Sequence, residues 1–293
     1  QVGETFFANP NPAAVLGTVR CFAVYNGELY AGGQFRRNGL VTVNNIAKWD
    51  GSTWSGLVGF GVAGVLSNVA PPRINAMATY DDGTGTKLYV TGQFNEASGV
   101  PGINSIAKWD GTQFDYVGDV FLNGLLAPGG GGAEGLALKV YNGKLFVGGY
   151  FGQAAGTATT NNIATWSNTG WGSVGELDDN SGIRSFEIFD EDGAGPNAPV
   201  LAVAGSLTTV GIGFNGSLGL DVRGVARFDG NAWTTFGAGL PRDPLGENTA
   251  DLLALAVHDN GSGPRLYAAG WPQFDDNGPT NALWMWNGTD WVG

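Results

Sequence analysis

Three stretches of the chain gather hard oxygen donors: Asp81-Asp82-Gly83-Thr84-Gly85, Asp190-Glu191-Asp192-Gly193 and Asp259-Asn260-Gly261. Carboxylates at this density suit a weak calcium loop, with Asp81, Asp82, Asp190, Asp192 and Asp259 as candidate ligands. None of the stretches has EF-hand spacing. Asp, Asn and Gly are also the residues that tight turns demand. Two equivalent places in the chain carry a bare Asn26-Gly27 and Asn142-Gly143. Turn formation is therefore the favoured reading and calcium the second; no other cofactor is implied.

Asp50, Asp110 and Asp229 each precede a glycine. Glycoside hydrolysis needs two carboxyl groups converging at about 5–10 Å. Residues at one equivalent turn of a repeat diverge instead, and Glu28, Glu134 and Glu187 have no evident partner in the sequence. No catalytic residue is assigned, and the expectation is a non-enzyme. The single Cys21 excludes an internal disulfide and any Cys-based zinc site. It falls among small strand residues and reads as an inert thiol. The single His258 stands where other repeats carry Tyr25, Tyr80, Tyr141 and Phe189. Trp271 breaks the repeat in Gly270-Trp271-Pro272-Gln273-Phe274. Trp271 and Phe274 are the candidate ligand-binding pair, through aromatic stacking on a sugar. Asn215, Asn260 and Asn287 head Asn-x-Ser/Thr sequons, which matter only in a eukaryotic secretory path.

The elements that hold these residues come in copies. CFAVYNGELYAGGQF (residues 21–35) returns as ALKVYNGKLFVGGYF (137–151) and, with an insertion, as AMATYDDGTGTKLYVTGQF (76–94). Each copy is followed by a second block, NNIAKWDGSTW (44–54) or its relatives at 104–114, 161–171, 223–233 and 281–291. Ile46, Ile106, Ile163, Val225 and Leu283 match, at separations of 60, 57, 62 and 58 residues. Five repeats result, at about 14–60, 70–118, 133–175, 182–237 and 251–293, in one domain. Asn-Gly and Asp-Gly turns punctuate runs that alternate at period two, which predicts four short antiparallel strands per repeat. Tandem sheets of this kind make a five-bladed β-propeller. Small residues on the first strand suit its crowded axis, and aromatics on the third and fourth suit its wide rim.

Composition agrees. Glycine is 51 of 293 residues, yet 43 % of the chain is apolar and ten residues are Trp, enough for a core. The net charge of −12 makes nucleic acid and anionic membranes poor partners. No apolar run is long enough for a membrane span. The connections at 59–72, 120–132, 208–221 and 237–250 are long, and several are apolar, which suits either burial over the ring or a contact surface.

Gly32-Gly33 and Gly148-Gly149, with the aromatics Trp49, Trp109, Trp166, Phe228 and Trp286 and the distal Trp54, Trp171, Trp233 and Trp291, resemble kelch-type propeller repeats. DDGTGTKLY (81–89) and DNGSGPRLY (259–267) are similar to a secreted bacterial repeat family reading LAVFDDGSGPxLYxGGxFxxAGGxxxNxIAxWDGxxWxxLG. Fungal cortical cell-polarity markers carry related repeats. The resemblance implies a propeller in an exported, extracellular or cell-surface protein. The functional expectation is a non-catalytic interaction or structural protein that binds proteins, including copies of itself in a layer or filament. Carbohydrate binding is the alternative and a polysaccharide-active enzyme the least favoured. Val2-Gly3-Glu4 resembles Val174-Gly175-Glu176, so segment 1–13 is expected beside the last repeat, from the same molecule or from a neighbour.

Overall fold

The structure, a computed structural model, describes residues 6–7, 17–38, 41–57, 65–66, 71–121, 123–127, 132–155, 160–178, 182–240, 251–271, 274–275, 278–279 and 283–293. Among them every regular element is a β-strand except a 3₁₀ turn at Phe214–Gly216, and no helix is long and apolar enough to cross a membrane.

Five four-stranded antiparallel sheets account for most of the strands, each in simple chain order. The first comprises Thr18–Tyr25, Glu28–Gln34, Ile46–Trp49 and Trp54–Gly56. The second runs Arg73–Asp81, Thr86–Gln93, Ile106–Trp109, Phe114–Tyr116. The third is Glu134–Tyr141, Lys144–Tyr150, Ile163–Ser167, Gly170–Gly172. The fourth is Ile183–Phe189, Val200–Gly205, Val225–Phe228, Trp233–Thr235, and the fifth Leu252–Asp259, Pro264–Gly270, Leu283–Trp286, Trp291–Val292. Asn26 and Asn142 sit at positive φ (50° and 47°) ahead of positive-φ glycines, as a two-residue hairpin turn requires.

All five sheets share one irregularity. Pairing between first and second strands slips by a residue, at Val19/Cys21, Ile74/Ala76, Gly135/Ala137, Ile183/Ser185 and Leu252/Ala254. This β-bulge explains the glycine doublet. Opposite the bulge stand Gly33, Gly92, Gly149, Gly205 and Gly270, where a Cβ would lie 1.9–2.3 Å from a backbone carbonyl oxygen of the first strand. Backbone cannot step aside, so the second glycine occurs in all five repeats. At Gly32 the crowding is against side chains, Ile74 and Cys21, and other repeats place Thr91, Ala204 or Ala269 there.

The sheets stack in chain order, first strand beside first strand. Each hydrophobic cluster but one joins two neighbours: Tyr30 and Ile46 with Leu88 and Trp109, Tyr89 and Ile106 with Leu145 and Val147, Phe146 and Ile163 with Leu201 and Phe228, Phe189 and Val225 with Leu266 and Trp286. No comparable contact joins the fifth sheet to the first among the described residues. The remaining cluster lies on the first sheet alone, around Phe35, Val43, Ala47 and Trp54, with Phe6 packed on it. Phe6–Phe7 pairs with Arg37–Asn38. Phe6–Phe7 thus lies against the first repeat; the rest of segment 1–13, expected beside the last repeat, falls outside the described residues. Val65–Leu66 and Leu125–Leu126 pair in the same way with Glu96–Ala97 and Gln153–Ala154. The strand at Phe6 therefore occupies the place that an inter-repeat connection takes elsewhere.

A Gly33→Ala substitution is expected to cost upward of about 2 kcal/mol through this backbone collision, and Gly32→Ala distinctly less, as read from thermal melts.

Candidate functional site

The contacts between successive sheets follow a pattern. The hydroxyl at the end of one sheet's first strand donates to the carbonyl that opens the next sheet's second strand. Tyr25 reaches Thr86 O (3.2 Å), Tyr80 reaches Gly143 O (2.8 Å) and Tyr141 reaches Pro199 O (3.0 Å). In the third and fifth sheets the indole of the third-strand Trp donates backwards to an acid in the preceding sheet's hairpin, Trp166 Nε1 to Asp82 (3.2 Å) and Trp286 Nε1 to Glu191 (2.6 Å); the equivalent Trp109 Nε1 is buried with no hydrogen bond among the described residues. A fourth-strand Trp does the same to backbone, Trp171 to Val117 O (3.1 Å) and Trp233 to Val174 O (2.7 Å). Tyr89 and Lys108 also bond Asp82. Burial pushes the Asp82 carboxyl up, but hydrogen bonds from Thr84 and Tyr89, the Lys108 charge and the Trp166 indole outweigh it and hold it well below the usual range.

On the outward face of the first sheet Ala31, Ala47 and Trp54 are buried with Phe6 packed on them, but among the described residues no further sheet covers that face or the outward face of the fifth sheet. Phe22 of the first sheet is 59 % exposed, while its equivalents Met77, Phe186 and Leu255 are 9 %, 6 % and 8 %. Val24 beside it is exposed as well. On the fifth sheet Leu283 is 56 % exposed, whereas Ile46, Ile106, Ile163 and Val225 are all fully buried. Ala254, Ala256 and His258 are exposed on the same sheet. These faces form the candidate interaction site.

A second group lies at the bulges. Arg73 and Asn75 of the second sheet bond Glu134 of the third, at 2.7 Å from Arg73 Nε and 2.8 Å from Asn75. Arg184 of the fourth forks onto Asp251 of the fifth (2.7 and 2.9 Å) and bonds Tyr150 Oη at 3.0 Å. Burial raises the Glu134 carboxyl, but Arg73, Asn75 and the charges of Arg73 and Arg20 bring it below its ordinary value. Glu134 also adds to the field that raises Arg184. Arg20, Arg73, Glu134 and Arg184 therefore share one rim. Trp271, 63 % exposed, joins it through its backbone N–H on Asp251 O at 3.1 Å.

Sequence reasoning missed this rim and left Glu28, Glu134 and Glu187 without partners. Glu28 pairs with Lys48, and Glu187 with Lys139 of the neighbouring sheet. The available signal was the acid at equivalent first-strand starts of repeats three and five, Glu134 and Asp251.

The other candidates take these places. Asp81 Oδ1 accepts the N–H groups of Gly83 and Gly85, and Asp259 Oδ1 those of Gly261 and Gly263. Asp192 accepts from Asn197, and Asp190 Oδ1 is buried without a partner. No group of three or more metal-ligating side chains gathers among the described residues. Asp50, Asp110 and Asp229 cap their own turns through the N–H groups two and three residues on. Burial pushes the Cys21 thiol up to about 12, as befits an unreactive side chain. Asn215, Asn260 and Asn287 are exposed; Asn215 lines a cleft of about 350 Å³ with Phe214 and Trp233. Phe274 pairs through its backbone with Pro279. Of the long connections, Leu125 is buried, and Phe121 and Leu218 are exposed.

No protein-family model matches the chain, and no curated protein is similar to it in sequence.

Asp82→Ala leaves Tyr89, Lys108 and Trp166 without their acceptor and is expected to cost about 3 kcal/mol near neutral pH. A depressed carboxyl contributes stability that is full above its unfolded value of about 3.9 and lost as pH falls below it. The difference between wild type and variant in urea melts therefore shrinks below about pH 4.

Proposed function

We propose that the chain is an exported, non-catalytic binding and structural protein of the propeller-repeat kind. Its five sheets act as blades, and a partner completes the stack. One observation carries this reading: Phe22 and Leu283 are exposed at positions where most or all of their repeat equivalents are buried against another sheet. Apolar residues left open in this way mark a surface for another protein. The turn aspartates Asp50, Asp110 and Asp229 and the paired Glu28, Glu134 and Glu187 support the non-catalytic part, because each is engaged in its own turn or in an ion pair.

Trp271 favours a second reading, carbohydrate binding. An exposed indole, on a residue whose backbone bonds that of Asp251, suits stacking on a sugar ring. A glycan array should then show binding that Trp271→Ala abolishes; a blank array removes this reading.

The main reading predicts accessible end faces in the isolated molecule. In dilute protein, Val24→Cys and Leu283→Cys should react quickly with a maleimide, whereas Met77→Cys should not. Protection of both end positions in a monomer would contradict it, as would turnover in a panel of polysaccharides.

A further inference from the structure

We propose that the bulge rim binds the neutral hexopyranose units of an oligosaccharide. The Tyr150 ring is the stacking platform, and the Arg184–Asp251 fork and Ser206 beside it supply the hydrogen bonds. The inference rests on the carbohydrate reading above and adds to it the site, the sugar class and the residues that hold it.

The rim is built from one repeat position. The residues that follow the five bulge glycines are Gln34, Gln93, Tyr150, Ser206 and Trp271. Each faces the start of its own sheet's first strand. Gln34 pairs with Thr18, Gln93 with Arg73 and Tyr150 with Glu134, while the Ser206 and Trp271 N–H groups donate to Gly182 O and Asp251 O, both at 3.1 Å. First strands of successive sheets lie side by side, so these positions form a row. Neighbours in the row come within reach of one side chain, since Tyr150 Oη lies 3.4 Å from Ser206 Oγ. The row thus sets a small hydroxyl residue between two aromatic ones.

Tyr150 is exposed but fixed. Its ring, 37 % exposed, fills the space that a side chain at residue 182 would need. A Cβ on Gly182 would lie 2.2 Å from Tyr150 Cε1, and the other repeats carry Thr18, Arg73, Glu134 and Asp251 at that position. Arg184 Nη2 donates to Tyr150 Oη at 3.0 Å, and its guanidinium carbon stands 5.5 Å from the ring centre. An aromatic ring already held in this way loses little further freedom when a ligand stacks on it.

The polar groups beside the ring are only partly used. Arg184 directs Nε and Nη2 to Asp251 and Tyr150, and its Nη1 bonds nothing among the described residues. Each Asp251 oxygen takes one of these bonds and keeps further lone pairs. Both side chains remain about a quarter exposed, at 28 % and 24 %. Donors and acceptors therefore lie together at the surface, and the two charges of the fork cancel. A neutral sugar ring needs that combination. Its hydroxyls both donate and accept, and its C–H face packs on the electron-rich face of an aromatic ring. An acidic sugar meets a guanidinium that is already neutralised, on a chain of net charge −12. A second sugar unit, laid along the row past Ser206, comes to the Trp271 position.

An array of oligomers of glucose, mannose, galactose and galacturonic acid, followed by calorimetric titration of the tightest binder, tests the proposal. Wild type should bind at least one neutral series, and the galacturonate series more weakly. Tyr150→Ala should weaken binding about tenfold or more, as loss of a stacking ring implies. Tyr150→Phe keeps the ring and should cost about fivefold or less, the worth of one hydrogen bond. Gly182→Ala leaves every polar group in place and pushes only the ring aside. It should weaken binding about as much as Tyr150→Ala, at a thermal midpoint close to wild type. Gln93→Ala, in the same row on the second sheet, should bind as wild type does. Wild-type affinity in Tyr150→Ala or Gly182→Ala overturns the site, and a preference for galacturonate overturns the sugar class. Binding that Trp271→Ala abolishes and Tyr150→Ala leaves intact keeps the carbohydrate reading and overturns the platform alone. A blank array removes that reading and this site together.

Discussion

A sheet of this repeat is apolar on both faces, and that constraint governs the molecule. In the second, third and fourth sheets one face is closed by the preceding sheet and the other by the next. Leu88, Leu145 and Leu201 are fully buried towards the preceding neighbour. Tyr89, Phe146 and Ala202 are buried towards the following one. At roughly 25 cal/mol per Å² of apolar area, such stacking outweighs anything the short strands gain by themselves. Two- to five-residue third and fourth strands would be marginal as isolated hairpins. The stack is thus what makes each sheet stable.

Direction is added by polar groups. Hydrophobic clusters would tolerate sliding of one sheet over another. The tyrosine hydroxyls, the backward-reaching indoles and the Arg–carboxylate forks tolerate it far less, because a small shift leaves buried donors unpaired. The forks Arg73–Glu134 and Arg184–Asp251 sit at the bulge end of the first strands, and the indole–acid bonds sit near the hairpin end. Each interface so equipped is pinned at two ends. The same bonds give the stack a polarity, which is why its two outer faces differ in kind.

Much of this was legible from local chemistry. Asn26-Gly27 and Asp50-Gly51 announce hairpins, and the spacing from Ile46 to Leu283 announces five copies. The value of the second glycine of each doublet was legible only as a pattern; its cause, a bulge that brings Thr18 O against Gly33, is a backbone event with no residue code of its own. The ion pairs were hidden for a different reason. Arg73 and Glu134 are 61 residues apart and Arg184 and Asp251 are 67 apart, in different sheets, so no local periodicity links them. The pairing of Phe6–Phe7 with Arg37–Asn38 was not readable, because these two residues take the place of an inter-repeat connection and carry no repeat motif of their own. A four-stranded sheet was readable within each copy. How far the stack closes on itself depends on contacts between the first and last copies, which a repeat sequence does not encode locally.

The central claim is that stability passes from neighbour to neighbour along the stack of sheets. Deleting residues 251–293 tests it most directly. The stack predicts a chain of four sheets that still folds, shows the strand signature in circular dichroism, and unfolds cooperatively at a lower urea midpoint, as loss of one sheet and one interface requires. A chain whose five sheets are stable only as one indivisible unit predicts instead that the shortened chain loses cooperative unfolding altogether. That second outcome would contradict the account.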